Sequence, residues 1–325
     1  MSNPKPSGMN DDELAEIRDT NPKLANTLES FLALGRDAPP DPPTPIQPAP
    51  AKVIQLPLWP EARRAAPNAF FRSALFPALK FKEGRPSLKR QRIYAVGGID
   101  VFFMGERFDQ SDLDVYLELL DLAHFHPLGT ECGFAAHAIL KRLHHATGNA
   151  NHKWLHSVLL RTCAALVEIT DHKKTYFGHL IEGGFKDELT RHYRVTINPK
   201  FAALFGYGMW SSIDREQRRA LGRNATAKCL HAYYSTHAPP GAHSFETLAA
   251  IAGLDDSNKR RQRIRIIDAH KLLTSEDVGF LSDYTVSEDG STIKAHINNL
   301  TPSQARHIAK KVIRQRRERA QRPVE

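Results

Sequence analysis

Apolar residues recur at helical spacing in two stretches of this chain, and each stretch runs on into segments that read as strands. Leu113, Tyr116, Leu117 and Leu120 stand at i, i+3, i+4 and i+7, the period of one buried helix face. They predict a helix capped by Ser111 or Asp112 and reaching about Ala123, where Pro127 and Gly129 stop it. A short helix over 133–143 follows. A longer one over 151–166 comes behind Gly148, with Leu155, Val158, Leu159, Thr162 and Leu166 as its stripe. Strand-like runs precede this group at 93–96 and 101–104. Others follow it at 166–170 and 176–181, joined by a turn at 171–174, with a further run at 192–197.

The second stretch repeats that order. Helices are predicted over 218–235, over 244–252 before Gly253, and from Asp256 or Ser257 to Leu273. Runs at 280–286 and 292–297 are joined by Ser287-Glu288-Asp289-Gly290, a hairpin signal. Three helices and then a hairpin is the order of a winged helix, a helix-turn-helix variant whose third helix enters a DNA major groove. The expected fold class is α+β, mainly α: two tandem winged-helix domains behind a disordered, proline-rich N-terminal segment.

That segment has little with which to build a core. Residues 10–35 carry a weak helical pattern broken at Pro22, and half of residues 37–50 are proline, which favours an extended tether. The expected divisions are an acidic head and tether over 1–52, a linear-motif region over 53–66, winged helices over 67–206 and 207–300, and a basic C-terminal helix over 301–325.

Charge adds a partner to this picture. The 325 residues hold 45 Lys and Arg against 36 Asp and Glu, a net of +9. Residues 1–50 have four of the former and eight of the latter, net −4, which leaves +13 on residues 51–325. A basic body suits a polyanion. No run of about 20 apolar residues is present to span a membrane, and the polar, acidic start does not read as a secretory signal. Three cysteines without a CxxC pair argue against a disulfide framework or a cysteine-rich zinc module, so a cytoplasmic location is expected.

Within 257–273, Ile264, Ile267 and Lys271, with Arg260 nearby, share one side of a helical wheel, which is taken as the seat. Asn258, Gln262 and Arg265, flanked by Lys259 and Arg261, make the opposite, DNA-facing side. Arginine pairs bidentately with guanine, and Asn or Gln with adenine. The matching residues of the first group are Asn149, Lys153, His156 and Ser157, with Lys173 and Lys174 at the wing tip for phosphate contacts. A tail holding Arg306, Lys310, Lys311, Arg314, Arg316, Arg317, Arg319 and Arg322 adds sequence-independent affinity.

Gln55-Leu56-Pro57-Leu58-Trp59 has the form of a docking peptide, with Gln55 to hydrogen-bond and Leu56, Leu58 and Trp59 to fill an apolar pocket; packing of Trp59 on the folded body is the plainer alternative. No GxxxxGK[ST] loop is present, and a non-enzymatic chain without cofactor or bound metal is expected. One rival is a metal-dependent nicking initiator or relaxase, with His124-Phe125-His126 as ligands and Tyr233 or Tyr234 as nucleophile. The other is a winged-helix transcriptional repressor.

Gln55–Trp59 resembles the sliding-clamp-binding consensus Gln-Leu-x-Leu-Phe, with Trp59 at the final position. With Pro60, Pro67-Asn68, Arg72-Ser73-Ala74-Leu75-Phe76, the stretch 108–120 and Tyr193-Arg194-Val195, the chain over about 53–298 resembles the TrfA family of plasmid replication initiators. The resemblance implies binding of directly repeated origin sites (iterons) in double-stranded DNA and melting of an adjacent AT-rich segment. It implies recruitment of the β sliding clamp of DNA polymerase III, through Gln55, Leu56, Leu58 and Trp59, and of the host replicative helicase and initiator. It also implies a monomer–dimer equilibrium that limits plasmid copy number.

Overall fold

The computed structural model describes residues 11–26, 54–81, 84–171, 174–237, 240–254, 258–298 and 300. Contacts divide the chain into a unit over 1–52 and a unit over 53–325. In the first, α1 (Asp11–Thr20) is followed by a helical turn over 22–26. Asn21 breaks the two, and both its carbonyl and its side chain accept from Leu24 N–H, at 3.1 and 3.2 Å. Pro22 opens the second turn, where a missing N–H costs nothing. The proline-rich tether over 37–50 and the basic segment over 301–325 lie outside the described residues.

The second unit begins with β1 (Arg63–Pro67), α2 (Asn68–Phe71), β2 (Ser87–Ile93), β3 (Ile99–Glu106) and α3 (Gln110–Ala123). There follow β4 (Glu131–Ala135), α4 (Ala136–Arg142), α5 (Asn149–Ala164), β5 (Leu166–Asp171), β6 (Lys174–His179), β7 (Ile181–Lys186) and β8 (His192–Ile197). After a 3-10 turn (Pro199–Phe205) come β9 (Trp210–Asp214), α6 (Arg215–Ala220) and α7 (Ala225–Ser235). The chain continues through β10 (Ala242–Ser244), α8 (Phe245–Ile251), α9 (Lys259–Thr274), β11 (Leu281–Val286) and β12 (Thr292–Ile297).

The two winged helices are visible in the strand order. From α7 the chain runs β10, α8, α9, β11, β12 into an antiparallel sheet ordered β10-β12-β11. From α3 it runs β4, α4, α5 and later β7 and β8 into a sheet ordered β4-β8-β7. Each is helix, short strand, two helices and a returning hairpin, with the last strand central. The first winged helix differs by an insertion: β5 and β6 leave this sheet and complete a four-stranded one, β2-β3-β5-β6.

Two expectations are thereby corrected. The hairpin at 166–181 is not the first wing; the wing is β7–β8. The strand β7 escaped notice because Gly183 and Gly184 at its centre weaken every strand signal. The helix expected over 218–235 is two helices, because Asn224 caps α7 by accepting from Ala227 N–H at 2.9 Å.

Helix α3 is the hub. Asp109 and Asp112 form a reciprocal capping box at its start. Its acids then take cations from every side. Arg64 reaches Glu118 at 2.8 and 3.1 Å, Arg161 reaches Asp112 at 2.7 Å, and Arg142 reaches Glu118 at 2.6 Å. Asp114 binds Arg218 at 2.6 Å and Lys228 at 2.7 Å. Burial works to raise the Asp114 carboxyl, yet these two cations hold it below its ordinary value.

Apolar side chains form two cores, one including Phe70, Phe103, Phe108, Tyr116 and Phe201, the other Leu230, Tyr233, Tyr234, Ile266 and Leu273. The Asp114 pairs and an Arg72 guanidinium on Thr236, at 2.8 and 2.6 Å, tie one core to the other. Where the loop after Phe76 crosses the end of α8, Gly253 has φ +60°, and a Cβ there would lie 2.5 Å from Pro77, so only glycine permits the approach.

Candidate nucleic-acid interface

Helix α9 starts at Asn258, whose side-chain oxygen accepts from Arg261 N–H at 3.1 Å. Its buried side is Ile266, Ala269, His270 and Leu273. His270 decides the phase. Its Nε2 accepts from the buried Tyr234 hydroxyl at 2.8 Å and its Nδ1–H donates to Ile266 O at 2.8 Å. Burial lowers the His270 pKa to about 4 and raises that of Tyr234.

This phase turns the expected wheel part-way, keeping Ile267 against the second core as expected. The outward side is Lys259, Arg260, Arg261, Ile264, Asp268 and Lys271. Ile264, expected in the seat, is 50% exposed. Arg265, expected on the DNA side, is turned to the protein and donates to Ala78 O at 2.8 Å and Thr226 Oγ1 at 3.2 Å. Gln262 donates to Leu254 O at 3.2 Å, and the Asn258 oxygen is engaged as the cap. Of the predicted base contacts, Asn258, Lys259 and Arg261 stay exposed, Lys259 in an ion pair with Glu246. Arg260, Ile264 and Lys271 are the outward residues assigned to the wrong side. Isoleucine at 264, 266 and 267 leaves the apolar pattern compatible with more than one phase, and Ala269 and His270, which complete the buried side with Ile266 and Leu273, do not advertise burial.

The wing is fastened to this helix. Arg263 sits 4.3 Å over the Phe245 ring and donates to Gly290 O in the β11–β12 turn. Gly290 has φ +68°, and a Cβ there would stand 3.1 Å from the Arg263 guanidinium. Ser287 and Ser291 hydrogen-bond the Asp289 carboxylate and lower its pKa to about 2.

In the first winged helix, α5 buries Leu155, Val158, Leu159, Arg161 and Thr162. Asn149, Lys153 and Ser157 are exposed as expected. His156 is not; it is half-buried against Tyr193, with ring centroids 5.9 Å apart. The true wing tip holds Asp187 and Glu188, with Leu189 at its apex, 96% exposed. Asp187 Oδ1 accepts from Leu189 N–H and Thr190 N–H at 2.9 and 2.8 Å. Lys174 is exposed at the start of β6, away from the wing, and Lys173 lies outside the described residues.

The segment over 54–60 lies against the body. Trp59 is 7% exposed, stacks 4.3 Å from His124 and donates from its indole N–H to Asp121 at 3.2 Å. Leu56 is buried, and Gln55 donates to His124 O at 3.3 Å. Leu58 alone of the four proposed anchors is open to an apolar partner, at 70% exposure. The expected docking peptide lies on the body as a strap with two of its three apolar anchors, Leu56 and Trp59, buried, as the plainer alternative for Trp59 has it.

The metal-dependent rival loses its geometry. His124 is the buried C-cap of α3 and His126 is exposed. Tyr233 and Tyr234 lie in the second core. Among the described residues no group of three or more His, Cys, Asp or Glu could hold a metal ion. No described helix is long and apolar enough to cross a membrane.

Residues 46–292 match the family model described as TrfA protein. The plasmid replication initiator protein TrfA of Escherichia coli is 24% identical over 222 residues, 65% of this chain and 56% of that protein. The match thus spans little more than half that relative's length. A solved structure of domains 2 and 3 of RctB is similar at TM-score 0.49 and 12% identity, over 72% of this chain and 99% of that one. The Pi initiator protein in complex with iteron DNA is similar at TM-score 0.42 and 11% identity, over 73% and 97%.

Proposed function

Since this chain belongs to the TrfA family, we propose that it is a plasmid replication initiator that binds repeated origin sites in duplex DNA. The observation that carries this is the outward face of α9: Arg260, Arg261, Ile264 and Lys271 stand together on a helix braced by its wing. That face enters the major groove, where arginine reads guanine and the isoleucine meets a thymine methyl. Helix α5, with Asn149, Lys153 and Ser157, lies on the next turn of the duplex. Several bound copies bend the origin, and an AT-rich segment opens because its deformation costs least, without hydrolysis. The chain works in the cytoplasm and hands the opened origin to the host initiator and helicase. The sliding clamp takes Gln55–Trp59 after the strap leaves the body.

Self-association uses the outward face of the four-stranded sheet. Phe177 there is 72% exposed and Met104 42% exposed. Arg90 lies over Phe102 and pairs with Glu168, and Arg92 pairs with Asp100. A face with both charge signs around an apolar centre is complementary to a second copy of itself, and less so to a polyanion. The test of function is a mobility shift at about 150 mM salt, where non-specific affinity is weakened. A duplex carrying the repeats beside this gene should shift at far lower protein concentration than random duplex. Equal shifts remove the sequence-specific function.

A further inference from the structure

We propose that a cavity flanking α9 binds a phosphate group, supplied by the DNA backbone at the edge of the groove. The open cavity of about 440 Å³ lies between the loop at 78–80, the start of α7 and α9. Among the described residues Lys80, Arg223 and Arg265 line it, with Asp268 as the one acidic side chain. Lys80 and Arg223 are exposed and make no hydrogen bond or ion pair with the described residues. Arg265 is fixed in place by Ala78 O and Thr226 Oγ1, both through Nη2. A guanidinium carries five N–H donors, so Nη1 and Nε keep three for a ligand. Planar donors on a held guanidinium, with two exposed cations beside them, match the oxygens of a phosphate.

The position favours DNA as the source. Arg261, Arg265 and Asp268 stand at i, i+4 and i+7 on α9, so the cavity borders the outward face. A backbone beside a groove filled by Arg260 and Ile264 passes its mouth. Asp268 opposes an anion, but it pairs with Lys271 at 3.7 Å. The DNA source rests on the duplex-binding function proposed above; the phosphate chemistry does not.

The test uses the full chain and its Lys80→Gln/Arg223→Gln variant, whose fold is checked by urea unfolding. Affinity for a short random-sequence duplex is measured across salt. Each lost phosphate contact removes about 0.9 from the slope of log K against log salt, so loss of this one phosphate should lower the variant's slope by about 0.9. The ratio of repeat-bearing to random duplex affinity should stay as in the wild type, which separates this site from the base-reading function. Asp268→Asn should raise affinity for both duplexes. An unchanged slope overturns the DNA source. If, in addition, neither orthophosphate nor a nucleoside monophosphate raises the melting temperature of the wild type above that of the double variant, the cavity binds no phosphate at all. A free-phosphate shift alone assigns the site to a soluble phosphate ester.

Discussion

Arg261 and Arg265 are one helical turn apart and have opposite tasks, which makes the orientation of α9 measurable. Arg265→Ala removes two charge-assisted hydrogen bonds and strips the buried Ala78 carbonyl of its partner. Hydrogen bonds from charged donors contribute about 1.5–3 kcal/mol each. Partial exposure of the Arg265 side chain discounts the sum to roughly 2 kcal/mol, which a urea titration resolves. The ratio of repeat-bearing to random duplex affinity per folded molecule should change by less than about threefold if no base contact is lost, while loss of the phosphate contact weakens both duplexes alike. Arg260→Ala and Arg261→Ala should do the reverse. Exposed side chains alter stability by about 0.5 kcal/mol or less, whereas each lost guanine contact costs about 1–3 kcal/mol, or about 5- to 150-fold in specific affinity. Both quantities come from the same protein preparations, by urea unfolding and by fluorescence anisotropy on repeat-bearing and random duplexes. If Arg265→Ala abolished specific binding at full stability while Arg260→Ala and Arg261→Ala were silent, the phase of α9 would be wrong and the proposed reading face with it.

Acid should loosen the second core. Burial lowers His231 to about 3 and His270 to about 4, so the unfolded chain binds protons first below pH about 6.5. Stability is then whole above that value and lost as pH falls toward the native pKa values, roughly 2 kcal/mol per histidine at pH 5; a melting temperature unchanged between pH 7 and 5 contradicts this. The strap should compete with any clamp. Burial of Leu56 and Trp59 is worth about 1.5–3 kcal/mol each, so a free peptide over 53–60 should bind the clamp about 10²- to 10⁴-fold more tightly than the full chain does. Equal affinities would show that no release is needed, and a silent peptide would remove the docking role. Phe177→Glu should give a monomer by sedimentation at concentrations where the wild type associates, with DNA specificity retained; an unchanged dimer places self-association elsewhere.

The order of helices and hairpins was legible because it is local. The stripe from Leu113 to Leu120, the turn at 287–290 and the interruption at Pro22 each follow from residues close in sequence, and a repeated order of such elements already implies a repeated fold. The charge contrast between the head and the body was equally plain. What tertiary structure decided was phase, partner and cover. Helix α9 is seated by Ile266 and Leu273 together with Ala269 and a histidine that Tyr234 hydrogen-bonds, and with isoleucine at 264, 266 and 267 the apolar pattern by itself does not choose between phases. The first wing is β7–β8 because β5–β6 joins strands that lie before α3, a choice made by pairing over long separations. Trp59 is spent on His124 and Asp121, which no motif discloses. A sequence records which side chains avoid water, but which surface relieves them of it is set by contacts between residues tens to hundreds of positions apart.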